Sequence, residues 1–372
     1  MRICFLTNEL SSKHGWGNYS TGLLNQLMRK REINCRVLVS EKTEENALPQ
    51  IDVYKVLPPL FGSRAIKILS LIRNYGKIRK LIKESDIVHS LIEPYGPIVY
   101  LINRRKPLII TLHGTYAVFP FKKRLLRKVY SRVYRRARKI ICVSKFTQNQ
   151  FLKQIQVNNT LVINNGIDYK KFQTFGMFRK AGDNTKTIIS VGALMFRKGY
   201  HISIPAAAKV KKQYPDLKYY IVGNQKNKDY FKYLKELVKK YRLDDNVVFL
   251  ENISDEDLIK LYCQADLFLL TPISIEDTKF EGFGLVYLEA GACAKPVIGT
   301  FGCGAEDIIR PNFNGLLVPQ NNIKETAKAV KKILDNKDLR EKLGGNGEEL
   351  AKKMDWVKVA KQYIDIYENL ID

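Results

Sequence analysis

The sequence predicts an α/β protein built from two doubly wound domains in tandem. Short apolar runs alternate with amphipathic helical stretches, and this alternation occurs once before residue 168 and again after residue 187. Such alternation is typical of a parallel sheet covered by helices on both faces. A length of 372 residues also favours two domains over one.

The first domain is predicted at residues 1–168. Its strand candidates are ICFL, CRVLVS, DIVHSLI, PLIITLHG, KIICVS and TLVINNG, and helical patterns such as Tyr19–Arg31 and Arg64–Lys83 separate them. In sheets of this kind, ligands bind outside the carboxyl ends of the strands. The polar, irregular residues 169–186 predict a linker.

The second domain is predicted at residues 187–355, with strand candidates TIISVGAL, YYIVGN, NVVFLEN, ADLFLLTP, KPVIGT and GLLVP. A tail at residues 356–372 follows, and no strand candidate comes after it. Apolar residues recur in the tail at helical spacing, so we expect a helix that crosses back and packs on the first domain. The predicted apolar stripe consists of Val357, Ala360, Tyr363, Ile364 and Tyr367.

The formal net charge of +26 is concentrated in the first half of the chain. Residues 1–170 carry 31 Lys and Arg against 10 Asp and Glu, whereas the remainder carries 32 against 27. No acidic residue occurs between Glu93 and Asp168. This asymmetry indicates an anionic partner: a membrane surface, a nucleic acid or a phosphorylated substrate.

The sequence favours neither a secreted nor a membrane-spanning protein. The chain starts with a short strand-like run instead of a signal peptide, and no apolar run approaches the roughly 18 residues of a transmembrane helix. The six cysteines are scattered without a CxxC pair. They are expected to be buried thiols in a reducing cytoplasm.

The stretch EGFGLVYLE, residues 281–289, places two carboxylates eight residues apart around a glycine turn. Glycine allows close approach of a ligand, and the free amides from Phe283 to Val286 would form an anion site at a helix start. Glu281 precedes this helix, and Glu289 would lie about 7 Å along its axis. A diphosphate on the amides would have a carboxylate near each end, which predicts a nucleotide sugar. The plainer interpretation is a helix-start acid and a solvated Glu289.

The surrounding residues resemble the glutamate-seven-glutamate motif of retaining glycosyltransferases with the GT-B fold, in particular glycosyltransferase family 4. The resemblance covers nearly the whole chain and implies two Rossmann-like domains that face one another across a cleft. Its motifs are TKFEGFGLVYLEAGACAKPVIGT, SKHGWGNYSTGLL, TLHGTY, VINNGID, SVGALMFRKGY, FGCGAEDIIRPNFNGLLVP and the tail that begins at Trp356.

The resemblance implies a role for each matched position. His113 would approach the donor sugar, Lys198 would pair with the diphosphate, and Glu281 would contact sugar hydroxyls near the reacting centre. Glu289 would bind the nucleotide ribose. The N-terminal glycine loop and the glycine turn would supply the other donor contacts, at Gly15, Gly17, Gly282, Phe283, Gly284 and Leu285.

One position departs from the family pattern. The expected Gly-Arg-Leu of the cation loop is Gly-Ala-Leu here, with Ala193 in place of the arginine. Arg197, next to Lys198, is a candidate replacement, although neighbouring side chains usually point apart. Contacts to the base are expected to be largely backbone, near Gly223, Asn224, Asn252 and Ile253.

Plainer interpretations compete with two of these assignments. A histidine that follows an apolar strand, as His113 does, can simply satisfy a loop carbonyl. The triplet at residues 255–257 superficially matches a DxD metal motif, but Ser254 followed by Asp257 is a helix-capping pattern. No zinc-type ligand spacing occurs in the sequence, so no metal or other cofactor is expected.

The segment Lys122–Lys139 has ten basic residues and no acidic one. Leu125, Val129, Val133 and Ala137 recur every four residues, so an amphipathic helix is expected to pack its apolar stripe on the first-domain sheet. Its cationic face fits anionic lipid headgroups better than nucleic acid, since no nucleic-acid motif accompanies it. The residues expected to face the membrane or acceptor are Lys122, Lys123, Arg124, Arg127, Lys128, Arg132, Arg135 and Arg136.

The sequence therefore predicts a cytoplasmic, metal-independent, retaining glycosyltransferase that docks on the inner membrane face. Its acceptor would be a lipid or a lipid-linked glycan of the cell envelope. A sugar-nucleotide epimerase or a phosphorylase on the same fold, and a non-catalytic basic adaptor for membranes or nucleic acid, are the alternatives. The sugar, the base and the oligomeric state are not encoded in any of these motifs.

Overall fold

A computed structural model describes residues 1–11, 15–43, 48–103, 105–174, 185–275 and 278–371. The chain divides into two compact units. Unit 1 contains Met1–Gly166 together with Trp356–Asp372, and unit 2 contains Ile167–Asp355.

Unit 1 is built on a seven-stranded parallel sheet with the order β3-β2-β1-β4-β5-β6-β7. The order reverses between β1 and β4, so the loops that follow these two strands diverge and leave room for a ligand. The strands are β1 (Arg2–Leu6), β2 (Asn34–Ser40), β3 (Asp52–Leu57), β4 (Ile87–Ser90), β5 (Leu108–Leu112), β6 (Lys139–Cys142) and β7 (Thr160–Val162).

Strand β3 was not among the strand candidates. It forms an edge of the sheet, and only its last two residues are buried. Asp52 and Lys55 interrupt its apolar residues, so its sequence lacks the continuous apolar run of a central parallel strand.

The helices of unit 1 include one at each of the two helical patterns that the sequence predicts. They are α1 (Gly15–Leu27), α2 (Arg64–Lys83), α3 (Gly96–Ile102), α4 (Thr115–Val118), α5 (Arg124–Arg136) and α6 (Lys145–Leu152), with 3-10 turns at Glu93–Tyr95 and Phe119–Lys122. Helix α2 has the predicted bounds. Helix α1 begins at Gly15 and not near Tyr19, so Gly15 and Gly17 lie in its first turn and not in a loop.

The C-terminal helix, Trp356–Glu368, belongs to the core of unit 1. The Trp356 indole lies against Gly22 and Gly166, where a Cβ atom would come within 2.2 Å and 2.6 Å of the ring. The predicted stripe is correct at Ala360, Tyr363 and Tyr367, which are buried. It is wrong at Val357, which is 46% exposed, because the apolar face is centred instead on Trp356 and Val359.

Unit 2 is built on a six-stranded parallel sheet with the order β10-β9-β8-β11-β12-β13. Five of these strands lie within the predicted candidates, and β9 begins one residue before its candidate. The strand order reverses between β8 and β11. They are β8 (Thr187–Val191), β9 (Lys218–Val222), β10 (Val247–Leu250), β11 (Leu267–Leu269), β12 (Val297–Thr300) and β13 (Gly315–Val318).

The helices of unit 2 are α7 (Tyr169–Gln173), α8 (Tyr200–Lys211), α9 (Lys228–Lys240), α10 (Asp255–Gln264), α11 (Leu285–Ala292), α12 (Ile323–Asp335) and α13 (Lys337–Lys353). Helix α7 occupies the start of the segment expected as a linker, and residues 175–184 of that segment lie outside the described residues. Ser254 caps α10 by accepting a hydrogen bond from Asp257 N at 3.1 Å, as its sequence predicts. The predicted α/β class with two doubly wound sheets is confirmed.

The six cysteines are buried and in the thiol form, as expected from their apolar surroundings. In the part of the chain that the structure describes, no helix combines the length and the apolar character needed to span a bilayer.

Candidate functional site

The loops that follow β8 and β11 meet at the carboxyl edge of the unit 2 sheet, because these strands are neighbours at the point where the strand order reverses. The first loop carries Arg197 and Lys198 in a 3-10 turn. Two hydrogen bonds hold this turn: Ile273 N donates to the Arg197 carbonyl at 2.8 Å, and Thr271 Oγ1 donates to the Gly199 carbonyl at 2.8 Å.

Glu281 links the two loops through two ion pairs. Its Oε2 accepts a hydrogen bond from Lys198 Nζ at 2.6 Å and another from Arg197 Nη1 at 3.0 Å. The Glu281 and Lys198 side chains are only 12% and 10% exposed, and that of Arg197 is 27% exposed. Although they are adjacent in sequence, Arg197 and Lys198 both reach the same carboxylate oxygen of Glu281.

The charges of this cluster are set by burial and by each other. Burial alone would raise the pKa of Glu281, but the attraction of Lys198 and then of Arg197 outweighs it and lowers the pKa to about 2. Burial keeps the pKa of Lys198 below its ordinary value, although Glu281 opposes that shift. Glu281 is therefore an ionised, nearly buried carboxylate at neutral pH.

Two glycines with positive φ allow the close packing of the Lys198 loop. Gly199 adopts the left-handed conformation, with φ of 74°, and a Cβ atom there would come within 1.7 Å of the Thr271 carbonyl oxygen. Gly192 has φ of 149°, and a Cβ atom there would lie 3.3 Å from Lys198 Cε. The Tyr200 hydroxyl fixes the same loop by donating to the Gly192 carbonyl at 2.7 Å.

The turn before α11 has the predicted backbone. Gly284 is the N-cap, in the left-handed conformation with φ of 86°, and the helix begins at Leu285. The turn rests on the loop after β12: Gly304 N donates to the Glu281 carbonyl at 2.8 Å, and a Cβ atom on Gly304 would come within 2.1 Å of the Gly282 carbonyl oxygen. The amides of the first helical turn lack acceptors within the helix, as at any helix start.

Glu289 is the fifth residue of α11, as predicted, but it is not a freely solvated side chain. Its Oε2 accepts a hydrogen bond from the Tyr262 hydroxyl at 2.9 Å. Burial raises the pKa of Glu289, and the Tyr262 hydrogen bond opposes that rise.

The residues expected near the base lie at the ends of β9 and β10, on the same sheet edge. Asn224 O accepts a hydrogen bond from Leu194 N at 3.0 Å, and Gly223 packs so closely on Gly192 that a Cβ atom would come within 2.0 Å of its carbonyl oxygen. Asn252 is exposed and adopts a positive φ of 57°, and Ile253 follows it. The structure thus brings these four residues and the Gly192–Gly199 loop to one edge.

In unit 1, His113 follows β5 and its ring satisfies a loop carbonyl, as the plainer interpretation expects. His113 Nε2 donates to the Leu91 carbonyl at 2.8 Å. Since a carbonyl only accepts, the proton lies on Nε2 and Nδ1 remains an acceptor. Burial lowers the pKa of His113 to about 4, so the imidazole is neutral at neutral pH.

The structure adds Glu93, a residue that the sequence interpretation did not assign to the site. It is 1% exposed, and its Oε1 accepts a hydrogen bond from His113 N at 2.5 Å. Its Oε2 is buried without a hydrogen-bond partner among the described residues. Burial raises the pKa of Glu93 to about 7, against backbone hydrogen bonds that favour the ionised form. The signal in the sequence was the lone acid after the apolar run DIVHSLI, at the start of the acid-free segment.

The two N-terminal glycines have different surroundings. Gly17 packs on the backbone of Ser11, where a Cβ atom would come within 2.3 Å of the carbonyl oxygen. A Cβ atom on Gly15 would meet no atom of the described residues within 4 Å. Residues 12–14 of the predicted glycine-rich loop lie outside the described residues.

Helix α5 presents most of the predicted basic residues to solvent. Val133, Tyr130 and Tyr134 are buried on the inner face, but Leu125 of the predicted stripe, in the first turn of the helix, is 69% exposed. Arg136 is partly buried and donates to the Tyr100 carbonyl at 3.3 Å. The exposed basic residues are Lys122, Lys123, Arg124, Arg127, Lys128, Arg132 and Arg135.

Comparison with known proteins identifies the family. Residues 15–171 match the family described as Glycosyltransferase Family 4, and residues 177–350 match Glycosyl transferases group 1. An uncharacterized glycosyltransferase of Methanocaldococcus jannaschii is 30% identical over 364 residues, which cover 96% of this chain and 95% of that protein. The chain belongs to the glycosyltransferases.

Solved glycosyltransferase structures show the same fold. Anabaena HepE, crystallised with UDP and glucose, superposes with a TM-score of 0.81 at 22% identity, over 99% of this chain and 100% of that chain. WaaG, a glycosyltransferase involved in lipopolysaccharide biosynthesis, gives a TM-score of 0.73 at 17% identity, over 98% and 99% of the two chains. The predicted GT-B fold is confirmed for this glycosyltransferase.

Glu93→Gln should flatten the pH dependence of stability in this glycosyltransferase. The folded pKa of Glu93 is raised from 4.5 to about 7, so the unfolded chain releases this proton first and stability falls as the pH rises between those values. The wild type should lose about 3 kcal/mol of unfolding free energy across that window through this residue. Urea unfolding from about pH 5 to pH 8 measures it. The exposed Glu32→Gln is the control, and equal slopes in Glu93→Gln and wild type would contradict the assignment.

Gly199→Ala should destabilise unit 2 and displace Lys198. The new Cβ atom meets the Thr271 carbonyl, and the positive φ is strained for alanine, so we expect a loss of about 3 kcal/mol or more of unfolding free energy. Gly345→Ala, in helix α13 with open space around its Cα, is the matched control and should be neutral or stabilising. Denaturant titration of both variants makes the comparison, and a fully stable Gly199→Ala would show that the loop has another conformation.

Proposed function

We propose that this glycosyltransferase moves a sugar from a nucleoside-diphosphate sugar to an acceptor hydroxyl, with retention of the anomeric configuration. The observation that carries the proposal is the buried cluster in which ionised Glu281 holds Lys198 and Arg197 beside the glycine turn of α11. The cluster lies at the carboxyl edge of a doubly wound sheet, where such folds bind nucleotides.

Lys198 and Arg197 are suited to a diphosphate leaving group. An ammonium group has three donors and a guanidinium group has five, and the hydrogen bonds to Glu281 occupy one of each. The remaining donors can meet phosphate oxygens while Glu281 keeps both side chains in place. Cations fixed in this way stabilise the charge that develops on the departing diphosphate.

Glu281 would contact the sugar as an acceptor of hydrogen bonds. With a pKa of about 2 it is ionised at neutral pH, so it accepts hydrogen bonds from hydroxyl groups and cannot serve as a general acid. Its position one residue before Gly282 places it at the sugar end of the diphosphate, whose oxygens would lie on the amides of Phe283, Gly284 and Leu285.

Glu289 and His113 complete the proposed donor contacts. Glu289, four residues into α11 from Leu285, would bind the nucleotide ribose beside the Tyr262 hydroxyl. In the neutral His113 imidazole Nδ1 is a hydrogen-bond acceptor, and we assign it a contact to the donor sugar. Glu93 would position His113 by accepting a hydrogen bond from its backbone.

The comparisons support a nucleotide-sugar donor. HepE, which has the same fold, was crystallised with UDP and glucose. Retention follows the resemblance to retaining glycosyltransferases of family 4. The proposed reaction is metal-independent, since Lys198 and Arg197 supply the positive charge that a divalent cation would otherwise bring to the diphosphate.

The proposed acceptor is a lipid or lipid-linked glycan at the cytoplasmic face of the membrane. Helix α5 supports this, because its buried inner face leaves a solvent-facing surface with basic residues and no acidic one. Each such residue near an anionic bilayer contributes about 1 kcal/mol. WaaG, a structural neighbour, acts in lipopolysaccharide biosynthesis, which is consistent with an envelope glycan or glycolipid.

A nucleoside diphosphate should stabilise the protein, and Lys198→Met should abolish that effect. At about one hundred times its dissociation constant, the correct nucleotide among UDP, GDP and ADP should raise the unfolding free energy by about 3 kcal/mol. Lys198→Met removes a diphosphate contact and should reduce transfer by about 100-fold or more. Thermal unfolding and initial rates measure the two effects.

Lys209→Met, at an exposed position of α8, is the control and should behave as wild type. The acceptor is identified by incubating labelled nucleotide sugars with a membrane lipid extract, in the presence of EDTA and at two salt concentrations. Transfer to vesicles should tolerate EDTA and decline with salt. Salt-sensitive vesicle binding without any nucleotide effect would favour the non-catalytic adaptor instead. Conversion of the nucleotide sugar into its epimer without an acceptor would favour the epimerase.

Arg197 should replace the arginine that is absent at Ala193. Arg197→Ala removes a charged donor from the cluster and should lower kcat/KM by about 10- to 100-fold. Adding Ala193→Arg to this variant should restore part of the loss, because both positions lie on the Gly192–Gly199 loop. Steady-state kinetics of the single and double variants make the test. Full activity of Arg197→Ala would leave the diphosphate to Lys198 and the amides alone.

A further inference from the structure

Unit 1 has an open cavity of about 350 Å³ whose walls are mostly apolar. Leu60, Phe61, Ile68, Leu71 and Ile98 line it, together with proline and tyrosine side chains. Its size and lining are typical of a site for a small apolar ligand. Nothing in the proposed donor site uses these side chains.

The cavity opens at the carboxyl edge of the unit 1 sheet. Pro58 follows β3, Pro94 follows β4, and Tyr116 lies three residues after His113, beyond β5. The Tyr95 hydroxyl donates to the Pro58 carbonyl at 3.0 Å, which fixes the wall between the first two of these segments. A molecule in the cavity would therefore lie on the sheet edge that carries His113.

The charged groups of the cavity are cations. Arg64 and Lys67 line it, and no carboxylate does so among the residues that the structure describes. Lys67 Nζ donates to the Leu60 carbonyl at 2.5 Å, which holds the ammonium at the wall and leaves two of its donors for a ligand. Apolar walls with a cationic side fit an amphiphile that has a hydrocarbon chain and an anionic headgroup.

The apolar lining continues onto the exposed face of α2. Ile68, Leu69 and Ile72 are 50%, 65% and 68% exposed, and Phe61 before the helix is 69% exposed. The helix carries seven basic residues and no acidic one. Large exposed apolar side chains among basic residues are the features of a helix that lies in the headgroup region of an anionic bilayer.

We propose that this cavity binds the hydrocarbon chain of an anionic lipid, the membrane anchor of the acceptor, with Arg64 and Lys67 at its phosphate. Helix α2 lies on the bilayer, so that the chain passes from the membrane into the cavity beside it. This inference rests on the proposed function, because the lipid is taken to be an acceptor that presents its headgroup toward His113. The binding itself requires no donor.

Dodecyl phosphate, below its micelle concentration, is the probe for isothermal titration with the full chain. It should bind once per chain, whereas dodecyltrimethylammonium and butyl phosphate should bind about 10-fold more weakly or not at all. Ile68→Glu places a carboxylate on the cavity wall and should weaken binding by about 10-fold or more. Ile72→Glu, one turn later on α2 and outside the lining, should bind the probe within about threefold of wild type.

Sedimentation with vesicles containing phosphatidylglycerol tests the exposed surface of α2 separately from the cavity. Both variants should sediment less with these vesicles than wild type, because both positions lie on the exposed face of α2. Both positions are exposed, so unchanged melting temperatures confirm that the variants fold.

Three outcomes would overturn the proposal: equal binding of all three probes, wild-type affinity in Ile68→Glu, or a dimer that Ile72→Glu dissociates, which would make this face a contact between copies. Nucleotide stabilisation is measured on the same preparations. A protein that binds nucleotide but not dodecyl phosphate would refute the lipid cavity alone, and the reverse would refute the donor site alone.

Discussion

The site in unit 2 depends on one carboxylate that is shared by two cations. Glu281 could not remain ionised at its low exposure without Lys198 and Arg197, and those side chains would repel each other without Glu281. The ion pairs also connect the loop after β8 to the turn before α11. Glu281 therefore holds in place both the cations that can contact a diphosphate and the glycine turn whose amides can bind it.

Glu281 and Glu93 show how the partner of a buried carboxyl group decides its charge. Glu281 has two cationic side chains and a lowered pKa, whereas Glu93 has only backbone amides on one oxygen and a raised pKa. Both follow the reversal point of a doubly wound sheet. Unit 2 thus carries a permanent charge at this edge, and unit 1 carries a group that titrates near neutral pH beside a neutral histidine.

The structure shows which surfaces of unit 1 carry its basic residues. Helix α5 buries Tyr130, Val133 and Tyr134 on its inner face, yet Leu125 in its first turn is exposed. Helix α2 has the predicted bounds, but the sequence did not show that most of its first half is unburied. Its exposed isoleucines and leucine adjoin a cavity formed by segments that are distant in the chain, and no local pattern could reveal it.

The sequence by itself determined the fold class, twelve of the thirteen strands, the glycine turn and the spacing of Glu281 and Glu289, because these follow from local periodicity and backbone freedom. Only the tertiary structure decided that Arg197 and Lys198 share one carboxylate, that Glu289 is bonded to Tyr262 and that Glu93 lies beneath His113. The physical reason is that these contacts join residues 20 to 84 positions apart. Strand order and packing bring these residues together, and neither can be read from a single stretch of the sequence.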